Sequence, residues 1–170
     1  MDIFNLIKNN KFDELYEFIK NNIDFDYDIY DNSFNYFIHY IIILNQSNIL
    51  EFILKNTKIR IDILDIDGHS LLYYPIKYNN IKILEILLEH DKNIIGIKII
   101  DIQDTFGNTA LHYSCIFNNF ESFKLLFNYK ADIYIFDNLK KENIFQIIIK
   151  YKRLDILTYL LNNITEFNIK

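Results

Sequence analysis

His112 and Cys115 lie three residues apart, a spacing that brings two side chains together on one face of a helix. An imidazole beside a thiol could activate the sulfur for nucleophilic catalysis. Such chemistry also needs oxyanion donors, and the sequence offers no evident set of them. We therefore expect structural roles for both residues, and we predict that the chain is not an enzyme.

The other candidates for site chemistry are metal ligands. The four histidines are scattered along the chain without an HExxH pattern or a close carboxylate partner, and they are His39, His69, His90 and His112. In the acidic run DFDYDIYD, Asp24, Asp26 and Asp28 match calcium-loop positions one, three and five. Position six is Ile29 instead of glycine, and position twelve is Asn35 instead of glutamate. A solvated loop is the better interpretation, so we predict no metal and no cofactor.

Composition narrows the class of protein further. The chain has 170 residues, 51% apolar, with a net charge of −5, three glycines, one proline and one cysteine. These counts exclude Gly-rich phosphate loops, disulfide scaffolds and Cys₄ zinc sites. The acidic balance argues against nucleic acid, and no apolar stretch approaches the roughly 18 residues of a membrane span. Without a visible secretory signal, we expect the cytosol or the nucleus.

Four aspartates open similar stretches of sequence, at spacings of 34, 39 and 33 residues: Asp31, Asp65, Asp104 and Asp137. Each is followed by an apolar segment, a polar break and a second apolar segment with helical periodicity. The copy from Asp137 aligns best with one extra residue in its turn, and residues 1–30 supply a degenerate first copy. This pattern predicts a turn and two antiparallel helices per copy. One such pair cannot bury its apolar face alone, so the copies must stack.

The clearest copy contains Asp104, Gly107, Thr109, Leu111 and His112. In this spacing it resembles an ankyrin repeat, and the resemblance covers nearly the whole chain. It implies an all-α, ankyrin-type α-solenoid of about five stacked helix–turn–helix units with hairpin-like turns. The single domain 1–170 then divides into units at about 1–30, 31–64, 65–103, 104–136 and 137–170, with the first and last as caps.

The resemblance also implies roles for individual residues. Gly68 and Gly107 should have positive φ in their turns. Thr109 should cap the first helix of its unit, His112 should hydrogen-bond to that turn and to the next unit, and Ser70 is the equivalent cap one unit earlier.

Several positions depart from the family pattern, and Leu71 and Ala110 stand where the family usually has proline. Pro75 lies inside the predicted helix 71–78, which should therefore begin late or kink. Lys130 stands where the family usually ends the second helix with glycine, so the geometry of that exit is open. The chain also has 22 asparagines, which we attribute to biased composition, and we give individual asparagines little weight.

The family mostly binds other proteins on a concave surface made by the turn tips and the first helices. We therefore expect a non-catalytic protein–protein interaction module that acts as a scaffold or inhibitor. A late first-helix position is apolar or aromatic in four units, occupied by Leu44, Tyr78, Phe117 and Tyr151. The turn tips beside it carry Ile66, His69, Phe106, Asn108 and Leu139. Alternatively, some of these side chains pack between neighbouring first helices and only close the core.

Other functions stay open at this point. The chain could be a regulatory subunit, or a fragment, of a larger enzyme. It could also self-associate through apolar residues in its terminal elements, namely Phe4, Leu6, Ile164 and Phe167. We expect a monomer with an unidentified protein partner, and neither nucleic acid nor membrane binding.

Overall fold

The computed structural model describes residues 2–32, 35–92 and 98–164. These residues form ten α-helices in five consecutive pairs. The first helices of the pairs are α1 (Ile3–Lys8), α3 (Phe37–Ile43), α5 (Tyr73–Lys77), α7 (Ala110–Ile116) and α9 (Ile144–Lys150). The second helices are α2 (Phe12–Asn21), α4 (Ser47–Asn56), α6 (Ile81–Lys92), α8 (Phe120–Asn128) and α10 (Leu154–Asn163). A 3₁₀ turn, Ile99–Asp101, precedes the fourth pair.

The pairs stack in two rows. First helices contact first helices, as α5 does with α3 and α7, and second helices contact second helices, as α6 does with α4 and α8. A continuous core of isoleucine, leucine and phenylalanine side chains fills the space between the rows. The predicted all-α solenoid is therefore confirmed. Across the described ranges, no helix has both the length and the apolar character that crossing a membrane requires.

The loop between the two helices is built the same way in every pair. Its second residue has φ between 54° and 58°, and these residues are Asn10, Asn45, Asn79, Asn118 and Lys152. The next N–H donates to a carbonyl five residues back, for example from Gln46 to Ile41 at 2.9 Å and from Asn119 to Ser114 at 2.8 Å. This is a Schellman cap, which favours glycine or asparagine at the left-handed position. Four of the 22 asparagines therefore do have positional meaning, contrary to our expectation.

The third pair begins late, as Pro75 predicts. Helix α5 starts at Tyr73, and Pro75 is its third residue, where a helix needs no internal N–H donor. The prediction that Ser70 caps this helix is wrong, because the residue before the helix is Leu72 and no side chain caps it. Ser70 instead forms a β-bridge with Leu64 across the preceding turn.

The exit from α8 has the geometry that glycine usually supplies, since Lys130 has φ of 67°. Its N–H donates to the Phe127 carbonyl at 3.0 Å, and the Ala131 N–H donates to the Leu126 carbonyl at 3.1 Å. These hydrogen bonds satisfy the last carbonyls of the helix and hold a lysine in the left-handed region.

Successive hairpin turns contact each other through backbone. The Thr105 N–H donates to the Gly68 carbonyl at 3.2 Å, and the Asn138 N–H donates to the Phe106 carbonyl at 3.0 Å. Both glycines have positive φ, 82° at Gly68 and 85° at Gly107, as predicted. A Cβ on Gly107 would lie 2.1 Å from the Asn138 nitrogen. The absence of a side chain is therefore what lets one turn approach the next.

The two glycines should differ in their tolerance of alanine. At Gly107 the obstacle is backbone, whereas at Gly68 it is the Thr105 side chain, 2.2 Å from the new Cβ. We expect Gly107→Ala to lower the free energy of unfolding by at least about 2 kcal/mol, and Gly68→Ala to cost about half as much. Urea unfolding followed by circular dichroism measures both. Equal losses would mean that positive φ alone, and not the turn-to-turn approach, sets the cost.

Candidate functional site

Each hairpin turn is organised around one of the four repeated aspartates. The Asp65 N–H donates to the His69 carbonyl at 3.0 Å, and the Asp104 N–H donates to the Asn108 carbonyl at 3.0 Å. The carboxylates accept N–H groups of the same turn, from His69 to Asp65 and from Asn108 to Asp104, each at 2.8 Å. The Asp137 N–H donates instead to the Glu142 carbonyl, which is one residue further from the aspartate than the acceptor in the other turns. The extra residue predicted in the fourth turn is therefore present.

A tyrosine nine residues after the aspartate joins three of these turns to the first helix. Tyr40 donates to Asp31 at 2.6 Å, Tyr74 donates to Asp65 at 2.5 Å, and Tyr113 donates to Asp104. Our sequence analysis did not predict this pairing, although the Asp-x₈-Tyr spacing recurs in the sequence. Burial and the neighbouring carboxylate both raise the pKa of Tyr74 and of Tyr113. The hydroxyls therefore stay protonated and remain hydrogen-bond donors.

The aromatic rings of the first helices form a continuous cluster. The His69 ring stacks on Tyr73 with centroids 3.8 Å apart, and Tyr73 meets Tyr113 edge to face at 4.7 Å. Phe117 stacks on Tyr113 at 5.6 Å and lies 5.8 Å from Tyr73 of the preceding unit. Phe117 is thus held in place by Tyr113, whose hydroxyl donates to the buried Asp104.

The predicted partner-binding residues lie at the ends of the first helices and at the tips of the hairpin turns, and we call these positions together the first-helix face. Leu44, Tyr78, Phe117 and Tyr151 all occupy the cap position directly after their helices. Tyr78, Phe117 and Tyr151 are exposed, whereas Leu44 is half-buried against the core. Among the tips, Ile66, Phe106 and Leu139 are exposed, and His69 and Asn108 are half-buried.

Packing between neighbouring first helices explains the position of one of these side chains, Phe117. Phe117 contacts rings of its own and the preceding unit, so it is both a core-closing and an exposed side chain. Tyr78 is 56% exposed. Among the aromatic ring pairs of the described residues, it stacks only on Tyr74, in the helix that it follows.

The structure brings four of the predicted residues together in one cleft. Phe106, Asn108, Leu139 and Tyr151 line a depression of about 170 Å³ between the last two units. Its floor includes the half-buried Ile116 and the buried Ile147, and Glu142 and Lys140 stand at the edge. The predicted positions of the earlier units lie outside this cleft.

The His112–Cys115 pair is structural. His112 Nδ1 accepts the Thr109 N–H at 3.1 Å and lies 2.8 Å from the Thr109 hydroxyl, which completes the predicted capping of α7. Burial lowers the pKa of His112, and interaction with the backbone of Ile135 and of Glu142, in the next unit, opposes that shift, so the ring faces the following turn as predicted. Burial raises the pKa of the Cys115 thiol to about 12. A protonated, fully buried sulfur has neither the charge nor the access that a nucleophile needs.

Two of the carboxylates that could be considered as metal ligands, Asp28 and Asp65, have structural hydrogen-bond partners. Asp28 accepts the Arg60 N–H at 2.8 Å and so links the first two connecting loops. Asp65, Asp67 and His69 form the one three-residue group within the described ranges whose atoms could meet at a metal ion. Both Asp65 oxygens already accept hydrogen bonds, from the His69 N–H and the Tyr74 hydroxyl. Burial opposes ionisation of Asp65, but these bonds outweigh it and hold the pKa of its carboxyl below the ordinary value.

The repeated hairpins, glycine turns and capping histidine agree with comparison to known families. A family model described as ankyrin repeats (3 copies) matches residues 3–99 and again residues 94–170. The chain belongs to the ankyrin-repeat family. No curated protein matches it. Ankyrin repeats are generally protein–protein interaction modules and are typically non-catalytic.

The Tyr–Asp bond of this ankyrin-repeat protein should contribute measurably to stability. We expect Tyr113→Phe to lower the free energy of unfolding by about 1–3 kcal/mol, because it leaves a buried Asp104 oxygen without its donor. Tyr134→Phe, on an exposed ring, is the matched control and should change stability by less than about 0.5 kcal/mol. Chemical denaturation of both variants provides the measurement. A Tyr113→Phe variant as stable as the control would contradict a structural role for the bond.

His39 should make stability depend on pH. It is buried, neither ring nitrogen has a hydrogen-bond partner, and burial lowers its pKa to about 4. The unfolded chain binds a proton near pH 6.5 that the folded chain resists, so the stabilisation present above pH 6.5 is lost as pH falls toward 4.

Between pH 7.5 and pH 5, His39 should account for a loss of about 2 kcal/mol in the free energy of unfolding. In His39→Leu, which cannot titrate, the loss over the same interval should be smaller by that amount. Urea unfolding at both pH values compares the two proteins. Identical pH dependence in the two would show that the imidazole is charged or solvated in the fold.

Proposed function

We propose that this ankyrin-repeat protein is a non-catalytic binding module whose protein partner docks on the concave, first-helix face and is scaffolded or inhibited by occlusion. The observation that carries the proposal is the row of exposed apolar residues there. Isolated exposed apolar side chains are common, but several on one face indicate an interaction surface. Its members are Ile66, Tyr78, Phe106, Phe117, Leu139 and Tyr151.

The rigidity of this face supports the proposal. Tyr78 rests on Tyr74, and Phe117 rests on Tyr113, and the hydroxyls of both supporting tyrosines are held by turn carboxylates. A preformed aromatic side chain provides a large contact area at a small cost in rotamer entropy. A partner would therefore gain most of the interaction free energy without ordering the surface first.

The cleft between the last two units is the best candidate for an anchor. An apolar side chain of the partner could enter between Phe106, Leu139 and Tyr151, while Asn108 and Glu142 offer polar contacts at the margin. Such a buried central anchor with a polar edge is the usual arrangement of an interface hot spot. We assign this module to the cytosol or the nucleus, consistent with a single, buried cysteine.

The test compares two matched double variants of the full chain. Ile66→Ser with Leu139→Ser removes exposed aliphatic side chains from the first-helix face, and Ile23→Ser with Leu154→Ser removes an exposed isoleucine and leucine elsewhere. Tagged wild-type and variant proteins are used to capture partners from native extract, and the retained proteins are quantified by mass spectrometry.

We expect the Ile66 and Leu139 variant to lose at least about tenfold of a partner that the wild type and the control both retain, which corresponds to about 1.4 kcal/mol. Thermal unfolding verifies that both variants keep the wild-type fold. Equal retention by all three proteins, or loss in the control alone, would refute binding at this face.

A further inference from the structure

Charge is divided between the two rows of helices. Within the described helices, the five first helices carry three basic residues and no acidic one, and the bases are Lys8, Lys77 and Lys150. The five second helices carry nine acidic and five basic residues. A chain with a net charge of −5 therefore presents a basic row on one side and an acidic row on the other.

The usual preferences of helix ends do not produce this division. A lysine in the last turn and an acidic residue in the first turn both complement the helix dipole. The second helices α2, α8 and α10 have acidic residues in their first turns, whereas none of the first helices does. The lack of carboxylates is therefore specific to the first-helix row, and it leaves that side of the stack positive.

Lys77 has its charge available to a partner. It is the last residue of α5 and is exposed, and its Nζ lies 5.3 Å from the ring centroid of Tyr73 and 5.6 Å from that of Tyr78. Among the described residues, no carboxylate lies within ion-pairing distance of it. The two rings therefore hold the ammonium group beside Tyr78, one of the exposed residues of the proposed docking surface.

The cleft between the last two units is basic as well. Residues 137–153, which form the turn, the first helix and the loop on one side of it, contain five basic and two acidic residues. Both acidic groups are engaged: Asp137 accepts the Lys140 N–H at 2.5 Å, and Glu142 pairs with Lys150 at 2.9 Å. The Lys140 side chain lines the cleft, is exposed, and forms no ion pair with a carboxylate of the described ranges. A carboxylate that approaches the apolar cleft would therefore meet a cation at its margin.

We infer that the partner binds the first-helix face through an acidic, extended segment, which places an apolar side chain in the cleft and carboxylates on Lys140 and Lys77. This inference rests on the proposed function and specifies the chemistry of its partner. The units that carry Lys77 and Lys140 are two apart, and a helix spacing of roughly 8–10 Å separates them by about 16–20 Å. An extended segment spans that distance in about five or six residues, so the two carboxylates should be separated by about that number.

Complementary charge favours this partner over a neutral or basic one. The acidic second-helix row repels an acidic segment and the basic first-helix row attracts it, so association is directed to one side of the stack. The same lysines would also attract the phosphates of a nucleic acid. Nucleic-acid interfaces are strongly basic throughout, however, whereas the exposed aliphatic side chains of Ile66 and Leu139 stand on this face and suit an apolar side chain.

The terminal elements do not compete with this face for a partner. Of the apolar residues considered there for self-association, Leu6 is buried, Phe4 and Ile164 pack on the core, and Phe167 lies outside the described residues. The first-helix face is the surface on which exposed apolar side chains and available positive charge occur together.

The test selects binders from a phage-displayed library of random peptides, about twelve residues long, with the full chain as the bait. We expect the retained peptides to be enriched in aspartate and glutamate around an apolar residue, relative to the unselected library. The most enriched peptide is then synthesised, and fluorescence anisotropy measures its Kd. Raising NaCl from about 50 to about 300 mM should weaken its binding at least about threefold, because salt screens the ion pairs.

Matched double variants locate the carboxylates of the bound peptide. Lys77→Glu with Lys140→Glu should weaken binding of the selected peptide at least about tenfold. The control is Lys55→Glu with Lys58→Glu, which changes the net charge equally at exposed lysines in and after α4, and its Kd should stay within about twofold of the wild type. Lys77→Arg with Lys140→Arg keeps both charges and should bind like the wild type. Thermal unfolding verifies that each variant keeps the wild-type fold.

Selection of neutral or basic peptides, or equal binding by the wild type and the Lys77 and Lys140 charge-reversal variant, would overturn the inference. The proposed function would still stand if Ile66→Ser with Leu139→Ser loses those peptides, and would fail with the inference if that variant retains them. A library that yields no enriched peptide excludes a short linear segment as the ligand and overturns the inference alone. A labelled oligothymidylate of about twelve nucleotides that binds more tightly than the selected peptide would assign the lysines to nucleic acid and likewise overturn it.

Discussion

The fold depends on a carboxylate at the start of each hairpin turn, which is buried at Asp65, Asp104 and Asp137 and half-buried at Asp31. An aspartate removed from water needs hydrogen bonds, and in the turns at Asp65 and Asp104 it takes them from N–H groups of the turn and from a tyrosine hydroxyl of the following helix. The turn and the first helix therefore form one rigid element. Because Gly68 and Gly107 lack side chains, the next turn can approach closely enough to donate a backbone hydrogen bond. The arrangement of one unit thus sets the position of the next.

This one-dimensional arrangement explains where apolar surface remains. Inside the stack, each inner helix pair is covered on both sides by the neighbouring pairs, and its aliphatic residues are buried. The hairpin tips and the ends of the first helices lie outside both layers, so side chains such as Ile66 and Tyr78 stay exposed without opening the core. Side chains can also cross the boundary between units: Arg153 donates to the Cys115 and Ile116 carbonyls at 3.0 and 2.8 Å and so satisfies the end of the preceding first helix.

Much of this architecture can be predicted from the sequence because the same sequence pattern recurs in each unit. The aspartate spacing, the glycine turns, the Thr109–His112 cap and the late start forced by Pro75 depend on local chemistry. The Tyr–Asp hydrogen bonds were not predicted because they join residues nine positions apart. In a chain with 13 tyrosines, a recurring Asp-to-Tyr spacing does not stand out from chance. The left-handed asparagines were missed for a related reason: 22 asparagines conceal the four that share a position. Ser70 has the residue type of a cap, but its helix starts too late to use it.

The exposure of a given side chain is harder to predict, since periodicity identifies an apolar face but not what covers it. Leu44 and Tyr78 occupy equivalent positions, yet only Tyr78 is exposed, and the printed pattern does not distinguish them. Ile149 and Cys115 are likewise equivalent, and their burial differs only because a fifth pair follows the fourth, whereas no described pair follows the fifth. Burial in a stacked fold is therefore a property of neighbours. Ile149 and Cys115 show that a buried residue and an exposed residue can have the same sequence signature, and only their surroundings decide between them.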